Sequence, residues 1–268
     1  MILIAEKING SIPSCAAAIA AKDDAYIRDL AKRQADSGVD FIDCCASVKD
    51  NELETLSWMI GHIQSVTDCP IALDSPDVSV LIDAMPLCKK PGMFNSVSGE
   101  GDKIEKAFPV LAKPENSKWH IMALLCDDTG IPKSAEKRIE VFDTIMSKAS
   151  EYGIDDKRIH IDPAVEMLCT TDDGEGAFMI FDVMKHIRKT RPKVHISGAI
   201  SNISFNLPVR RLVNQAFAVL AISSGMDSAV LDPLNKDLRG MILAAEAMLG
   251  MDDFCAEYVS AYREEIFS

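Results

Sequence analysis

The sequence predicts an α/β protein, a single-domain (β/α)8 TIM barrel spanning residues 1–268, and three observations carry that expectation. Short apolar runs alternate with helical patterns in eight consecutive slots. No stretch between them reads as a linker, so the eight units belong to one sheet and one domain. One connection recurs: SGVDFID (37–43), GIDDKRIHID (153–162) and SGMDSAVLD (224–232) each join a helix-ending glycine to a short apolar strand and a closing aspartate. Right-handed crossovers between such units give a parallel sheet. A doubly wound open sheet is the alternative, and it is disfavoured because no GxGxxG follows the first strand.

The elements follow in order. ILIAEKING opens the chain as a short buried strand ending in polar residues. A helix is expected at about 24–36, capped by Asp23 and closed at Ser37-Gly38, where glycine suits the left-handed position beyond a helix. Val39–Cys45 is the second strand, and Leu53, Leu56, Met59, Ile60 and Ile63 then recur at helical spacing within 51–66. The third strand is 70–74, and Ser75-Pro76 opens the next helix. Strand 92–95 leads to a helix at about 101–112. Strand 119–125 leads past Cys126-Asp127-Asp128 to a helix at 135–152 closed by Gly153. Strand 158–162 ends in Asp162-Pro163, and an acidic loop, TTDDGEG, precedes a helix at about 176–190. Strand 194–197 runs into a polar turn, and Pro208 sets the first turn of the following helix. The last strand, 226–231, ends in Asp232-Pro233 and is followed by helices at about 235–249 and 252–266.

Composition narrows the function. At 48% hydrophobic and 26% charged residues the chain has ample material for one core. A net charge of −13 argues against nucleic acid, whose phosphates require clustered Lys and Arg. It suits a well-solvated surface and a partner with a basic docking face. Glu6 and Lys7 cut off the apolar start, so no secretory signal is expected, and no apolar run approaches the ~20 residues that span a bilayer. Eight cysteines, including Cys44-Cys45 but no CxxC, read as reduced thiols of a cytoplasmic protein. Five scattered histidines lack HExxH or similar spacing, so no metal site is expected, and His160 of the pair His160-x-Asp162 reads as a core histidine. SGEGDK (98–103) and DDGEGA (172–177) read as loops, since neither carries a P-loop Lys-Ser/Thr. Met93, Met122 and Met167 read as core filling, whereas Phe94 and Phe205 are open between core packing and stacking on a flat ring.

In a barrel the carboxyl ends of the strands surround one mouth, and here they carry Glu6, Asn9, Asp43, Asp74, Asn95, Asp127, Asp162, Asn202 and Asp232. A lone aspartate at a strand end is commonly a cap or turn residue, and Asp43, Asp127 and Asp232 are read so. Asp74, Asn95 and Asp162 say more. Carboxylates and an amide with few bases nearby suit a neutral heterocycle rich in N–H donors. A carboxylate facing an amino group and an adjacent ring N–H makes two parallel charge-assisted hydrogen bonds, each contributing roughly 1.5–3 kcal/mol. An aminopyrimidinone, as in a pterin, presents that face.

EKINGSIPS, ALDSPD, FNS, IDP and SNISFNLPVRRLVNQAF resemble the pterin-binding methyltransferases along nearly the whole chain. More narrowly, they resemble methyltetrahydrofolate:corrinoid protein methyltransferases, cousins of the folate domain of cobalamin-dependent methionine synthase. The strand-seven motif is the most specific, because Ser-Asn, Phe, Leu-Pro and Arg fall in family order. The resemblance implies a pterin-binding TIM barrel, commonly a homodimer. Such an enzyme moves a methyl group between N5 of tetrahydrofolate and the cobalt of a cobalamin carried by a separate corrinoid protein. By that analogy Asp74, Asn95 and Asp162 hold the pterin ring, Asn202 meets N5, and Arg210 meets the folate tail or shapes its loop. Glu6, Asn9 and Ser201 complete the folate-binding set. Lys7 stands where the family has Arg, and Cys45 where it has Asn after the strand-two aspartate.

The resemblance also sets the chemistry. An amine is a poor leaving group, so removing a methyl from N5 needs protonation or strong hydrogen bonding there. An amide such as Asn202 delivers no proton but stabilises the N5–H as a preorganised dipole. Transfer to tetrahydrofolate, as in O-demethylation, and transfer from methyltetrahydrofolate are both open. Dihydropteroate synthase is the rival on the same fold. It resembles this chain at strands three, four and six, but strand eight here, SAVLDPLNK, lacks its Arg-x-His. A non-catalytic folate-binding subunit of a corrinoid complex is the third possibility.

Overall fold

The computed structural model describes residues 1–48, 50–170 and 176–267. The acidic-loop assignment at TTDDGEG lies largely outside these residues. Apolar runs bounded by polar residues form eight parallel strands: β1 (Ile2–Asn9), β2 (Phe41–Cys45), β3 (Ile71–Asp74), β4 (Met93–Gly99), β5 (His120–Asp127), β6 (Ile159–Asp162), β7 (His195–Ile196) and β8 (Ser228–Leu231). From β1 to β7 each pairs with the next, and β1 also pairs with β8. Between β7 and β8 the seam is thin. The Asp227 N–H donates to the Ile196 carbonyl and the Val230 N–H to the Gly198 carbonyl, both at 3.1 Å. These bonds close the sheet into the barrel the sequence predicts.

Helices fill the crossovers: α1 (Pro13–Ala21), α2 (Asp24–Asp36), α3 (Glu52–Ile63), α4 (Val78–Ala84), α5 (Lys103–Leu111), α6 (Ala135–Glu151), α7 (Gly176–Thr190), α8 (Arg210–Ser223), α9 (Lys236–Met248) and α10 (Ala256–Arg263). Short polar side chains start several of them. Asp23, Asp77, Ser134 and Asn235 accept from the N–H groups of Tyr26, Ser79, Lys137 and Leu238 respectively. Apolar helix faces pack on the outside of the strands, while Ile4, Phe41, Ala72, Met93 and Met122 form a smaller cluster of their own. None of the described helices is long and apolar enough to cross a membrane.

Several boundaries differ from the sequence expectation; β4, for one, runs on to Gly99, into the segment 98–103 expected to be a loop. Helix α1 has no sequence signal because PSCAAAIAA is almost uniformly small and apolar, with no amphipathic stripe to mark it. Helix α4 is capped by Asp77; Ser75 instead accepts from the Asp77 N–H within the preceding turn. Helix α8 begins at Arg210 because Val209 takes a left-handed conformation (φ 49°), which leaves Pro208 outside the helix. The terminal helix is also shorter than 252–266, for Phe254 and Cys255 at φ 57° and 54° break its start.

Three register shifts shape the mouth. The β1–β2 register shifts between Ala5 and Ile8, and the β4–β5 register between Asn95 and Val97 and again between Ser98 and Gly99. Bulges at a barrel rim re-aim side chains. The Asn95–Ser96 peptide is cis. At the opposite end of the barrel, His120 Nδ1 lies 2.9 Å from His160 Nε2, and His160 Nδ1 lies 2.9 Å from Ser228 Oγ. His160 is therefore a buried, hydrogen-bonded core histidine, two residues below Asp162 on the same face of β6.

Candidate active site

The carboxyl ends of the strands open into a cavity of about 590 Å³, within the range of small-molecule sites. Glu6, Asn9, Asp74, Asn95, Asp162, Ser201, Asn202 and Arg210 all line it, so the structure brings the whole predicted set together. Asp43, Lys7, Met122, Leu124 and Phe205 share the wall.

Register explains the acidic floor. Asp74 ends β3 opposite Asn95 of β4 on one side and Cys45 of β2 on the other. Burial pushes the Asp74 carboxyl up to about 6; a hydrogen bond with the Cys45 thiol opposes the rise and the charge of Glu52 adds to it. Burial also lifts Asp162 to about 6, against backbone N–H donors at Ala164 and Val165 and the charge of Arg138. Asp43 is raised well above the carboxylate range, by burial first and then by the neighbouring Asp74 charge. It is only 2% exposed, and Asn95 Nδ2 donates to its Oδ1 at 3.3 Å.

The assignment of Asp43 as a cap or turn residue is therefore corrected. Helix α3 starts only at Glu52, leaving Asp43 to face the barrel interior. Asp127 and Asp232 are turn residues as expected. Asp127 Oδ1 accepts from the Thr129 N–H (2.8 Å) and hydroxyl (2.6 Å), and Asp232 Oδ1 from the Leu234 N–H (3.0 Å). Asp232 also pairs with Lys7 across 3.3 Å, which occupies that ammonium.

The loop after β6 is built to aim Asp162. Its Oδ1 accepts from the Ala164 N–H at 2.8 Å, with Ala164 in a left-handed conformation (φ 63°). That turn directs the carbonyls of Pro163 and Ala164 towards α6, where the fully buried Arg138 donates to both. Arg138 also reaches the Pro132 carbonyl (2.9 Å) and Glu166 (2.6 Å). A buried guanidinium is tolerated only when its donors are met, and here the backbone meets most of them.

The turn after β7 is a 3₁₀ segment, Ile200–Ser204. Ser201 Oγ donates to Glu6 Oε2 at 2.9 Å. Arg210 donates to Ser204 Oγ (3.0 Å) and to the Ser201 carbonyl (2.8 Å), and its guanidinium stacks 4.4 Å above the Phe205 ring. Of the two roles open to Arg210, its contacts are those of a residue shaping the loop. Phe205 stays 42% exposed at the cavity, while Phe94 is fully buried and packs in the core. Asn9 Oδ1 is taken by the Ser11 N–H and hydroxyl.

The barrel and its acidic, amide-bearing mouth define a class of protein, and the sequence places the chain in it. The chain belongs to the pterin binding enzyme family, whose profile matches residues 9–232. It is 43% identical over 266 residues to the methylcorrinoid:tetrahydrofolate methyltransferase of Eubacterium limosum, spanning 98% of this chain and 97% of that protein. It is 28% identical over 221 residues to the methionine synthase of Mycobacterium leprae, which is 80% of this chain and 18% of that longer protein. Among solved structures, the dihydropteroate synthase of Yersinia pestis superposes with a TM-score of 0.64 over 93% of both chains at 13% identity. That of Xanthomonas albilineans in complex with 7,8-dihydropteroate gives 0.62 over 94% and 92% at 17% identity. These likenesses are of fold.

Proposed function

We propose that this chain moves a methyl group between the cobalt of a separate corrinoid protein and N5 of tetrahydrofolate, and that in its working direction the methyl passes to folate. The observation that carries the reading is the near end-to-end similarity to the Eubacterium limosum methyltransferase. The cavity supports it. Asp74 and Asp162 offer carboxylates, and Asn95 an amide, to the N–H-rich edge of a pterin. Asn202 enters from the β7 turn and serves N5 as a preorganised dipole. The cobalt chemistry belongs to the corrinoid; this chain binds and orients folate and keeps water from the reacting nitrogen. None of the five histidines is among the residues lining the cavity.

The same reading extends to a single domain over 1–268, a cytoplasmic location and a homodimer. Unpaired cysteines support the location, and the exposed Met248, Met251 and Phe254 offer apolar surface for a second copy. The test is methyl transfer from methylcobalamin to tetrahydrofolate. Asn202→Ala is expected to lower kcat by ~10²–10³ with the fold kept, the usual loss for one transition-state donor. Wild-type turnover in that variant removes Asn202 from the mechanism. Absence of transfer by the native chain together with retained folate binding makes it a non-catalytic folate-binding subunit.

A further inference from the structure

Methyl transfer onto folate has a proton to dispose of. The N5 lone pair bonds to the methyl carbon, and the carbon–cobalt bond breaks with its electron pair leaving on cobalt. N5 then loses its hydrogen as a proton to become a neutral tertiary amine. The Asn202 carboxamide accepts no proton at neutral pH. Most other ionisable groups of the cavity are committed. Asp74 and Asp162 face the ring in the reading above, Asp43 lies on the floor against Asn95, Lys7 is paired with Asp232, and Arg210 is held by Ser204 and the Ser201 carbonyl.

Glu6 remains, and it is wired to the residue beside Asn202. Its Oε2 accepts the Ser201 hydroxyl at 2.9 Å, a bond that joins β1 to the β7 turn across 195 residues of sequence. Both side chains line the cavity. We infer that Glu6, reached through the Ser201 hydroxyl, takes the N5 proton when the methyl moves to folate and returns it in the reverse reaction. The hydroxyl receives the proton from N5 and passes its own to Glu6 Oε2, leaving Ser201 unchanged and Glu6 a neutral acid. Lys7 and Asp232, each about a third exposed, are charged neighbours of Glu6. The inference rests on the proposed folate reaction.

Every charged neighbour of Glu6 bears on its basicity. Burial raises its pKa, the Ser201 hydrogen bond lowers it, Asp232 raises it, and Lys7 and Arg210 lower it. Asp43 feels the Glu6 charge from across the floor. The net rise moves the carboxyl towards the working pH, which is what a proton acceptor needs.

The experiment follows kcat against pH for methyl transfer from methylcobalamin to tetrahydrofolate in the wild type, Glu6→Gln and Ser201→Ala, with calorimetry of tetrahydrofolate binding. The wild-type kcat is expected to rise with pH along a limb set by Glu6, and the methyltetrahydrofolate-to-cobalamin direction to fall along the same limb. Glu6→Gln keeps a partner for Ser201, so at saturating tetrahydrofolate, fixed by the calorimetry, kcat should drop by ~10–10² and the limb disappear. Ser201→Ala should lose the limb too, and Ser201→Thr should restore it. A limb that survives unchanged in both Glu6→Gln and Ser201→Ala belongs to folate or another residue and overturns the inference. Failure of the wild type to bind tetrahydrofolate instead overturns the folate reading itself.

Discussion

Asp74 and Asp162 each hold a carboxylate where burial disfavours it, with pKa values near 6. Two consequences follow for pH. A ligand edge of N–H donors needs these groups ionised, so tetrahydrofolate affinity should fall by ~10–100-fold as pH drops through 6, measured by calorimetry between pH 8 and 5. A flat profile would count against the two carboxylates as ligands. The unliganded fold behaves in the opposite sense. A folded pKa raised above the unfolded one means the native state binds more protons between about 4 and 6, so stability falls as pH rises through that window. For Asp162 the term is on the order of 3 kcal/mol, at about 1.4 kcal/mol per unit. Asp162→Asn should therefore melt higher than the wild type at pH 7 while binding folate worse. Asp43 shows where residue-level sequence reasoning stops: position alone marked it as a possible mouth residue, but the choice between cap and cavity floor depended on where α3 begins.

At the scale of elements, the loop after β6 depends on a side chain from α6. In the sequence Arg138 is one charge among several in AEKRIE, on a helix whose other charges are mostly exposed, and nothing in its spacing marks it as buried. Its burial follows from the left-handed turn at Ala164, a contact between segments about 25 residues apart. Arg138→Met should cost about 3–5 kcal/mol in urea unfolding, because it strands three loop carbonyls and leaves Glu166 with only the exposed Lys133. Arg138→Lys should recover part of the stability but less of the folate affinity, since an ammonium does not reproduce the forked contacts that keep Asp162 aimed. Unchanged folate affinity in both variants would separate the Arg138 network from the site. By contrast, most strands and the residues at their carboxyl ends were legible in sequence. Each is a short apolar run ended by a polar residue, and barrel closure alone brings those ends together.

Across the whole molecule, the two ends of the barrel respond to acid in opposite ways. Burial holds His120 and His160 below the ordinary histidine range, with the charge of His195 acting in the same direction on both. A depressed histidine pKa gives stability that is present above about 6.5 and lost as pH falls, because the unfolded chain takes up the proton first. The mouth carboxyls gain stability over much of the same interval. Thermal melting should therefore vary less between about pH 6.5 and 4 than either set of groups alone would make it. His160→Gln, which can still face Ser228 and His120, should gain on the wild type in melting temperature as pH falls through about 6.5. An acid limb identical to that of the wild type would place the proton uptake elsewhere.

The thin seam between β7 and β8 gives the barrel a preferred place to open. Two interstrand backbone bonds join what longer ladders join elsewhere, and the turn bearing Ser201 and Asn202 leaves the sheet at that point. Deuterium uptake should mark it, with the Asp227 and Val230 amides exchanging ahead of those along the β4–β5 ladder. The turn that carries Ser201 and Asn202 would then be hung on the slackest hoop of the barrel, free to breathe while the ends of β3, β4 and β6 stay fixed.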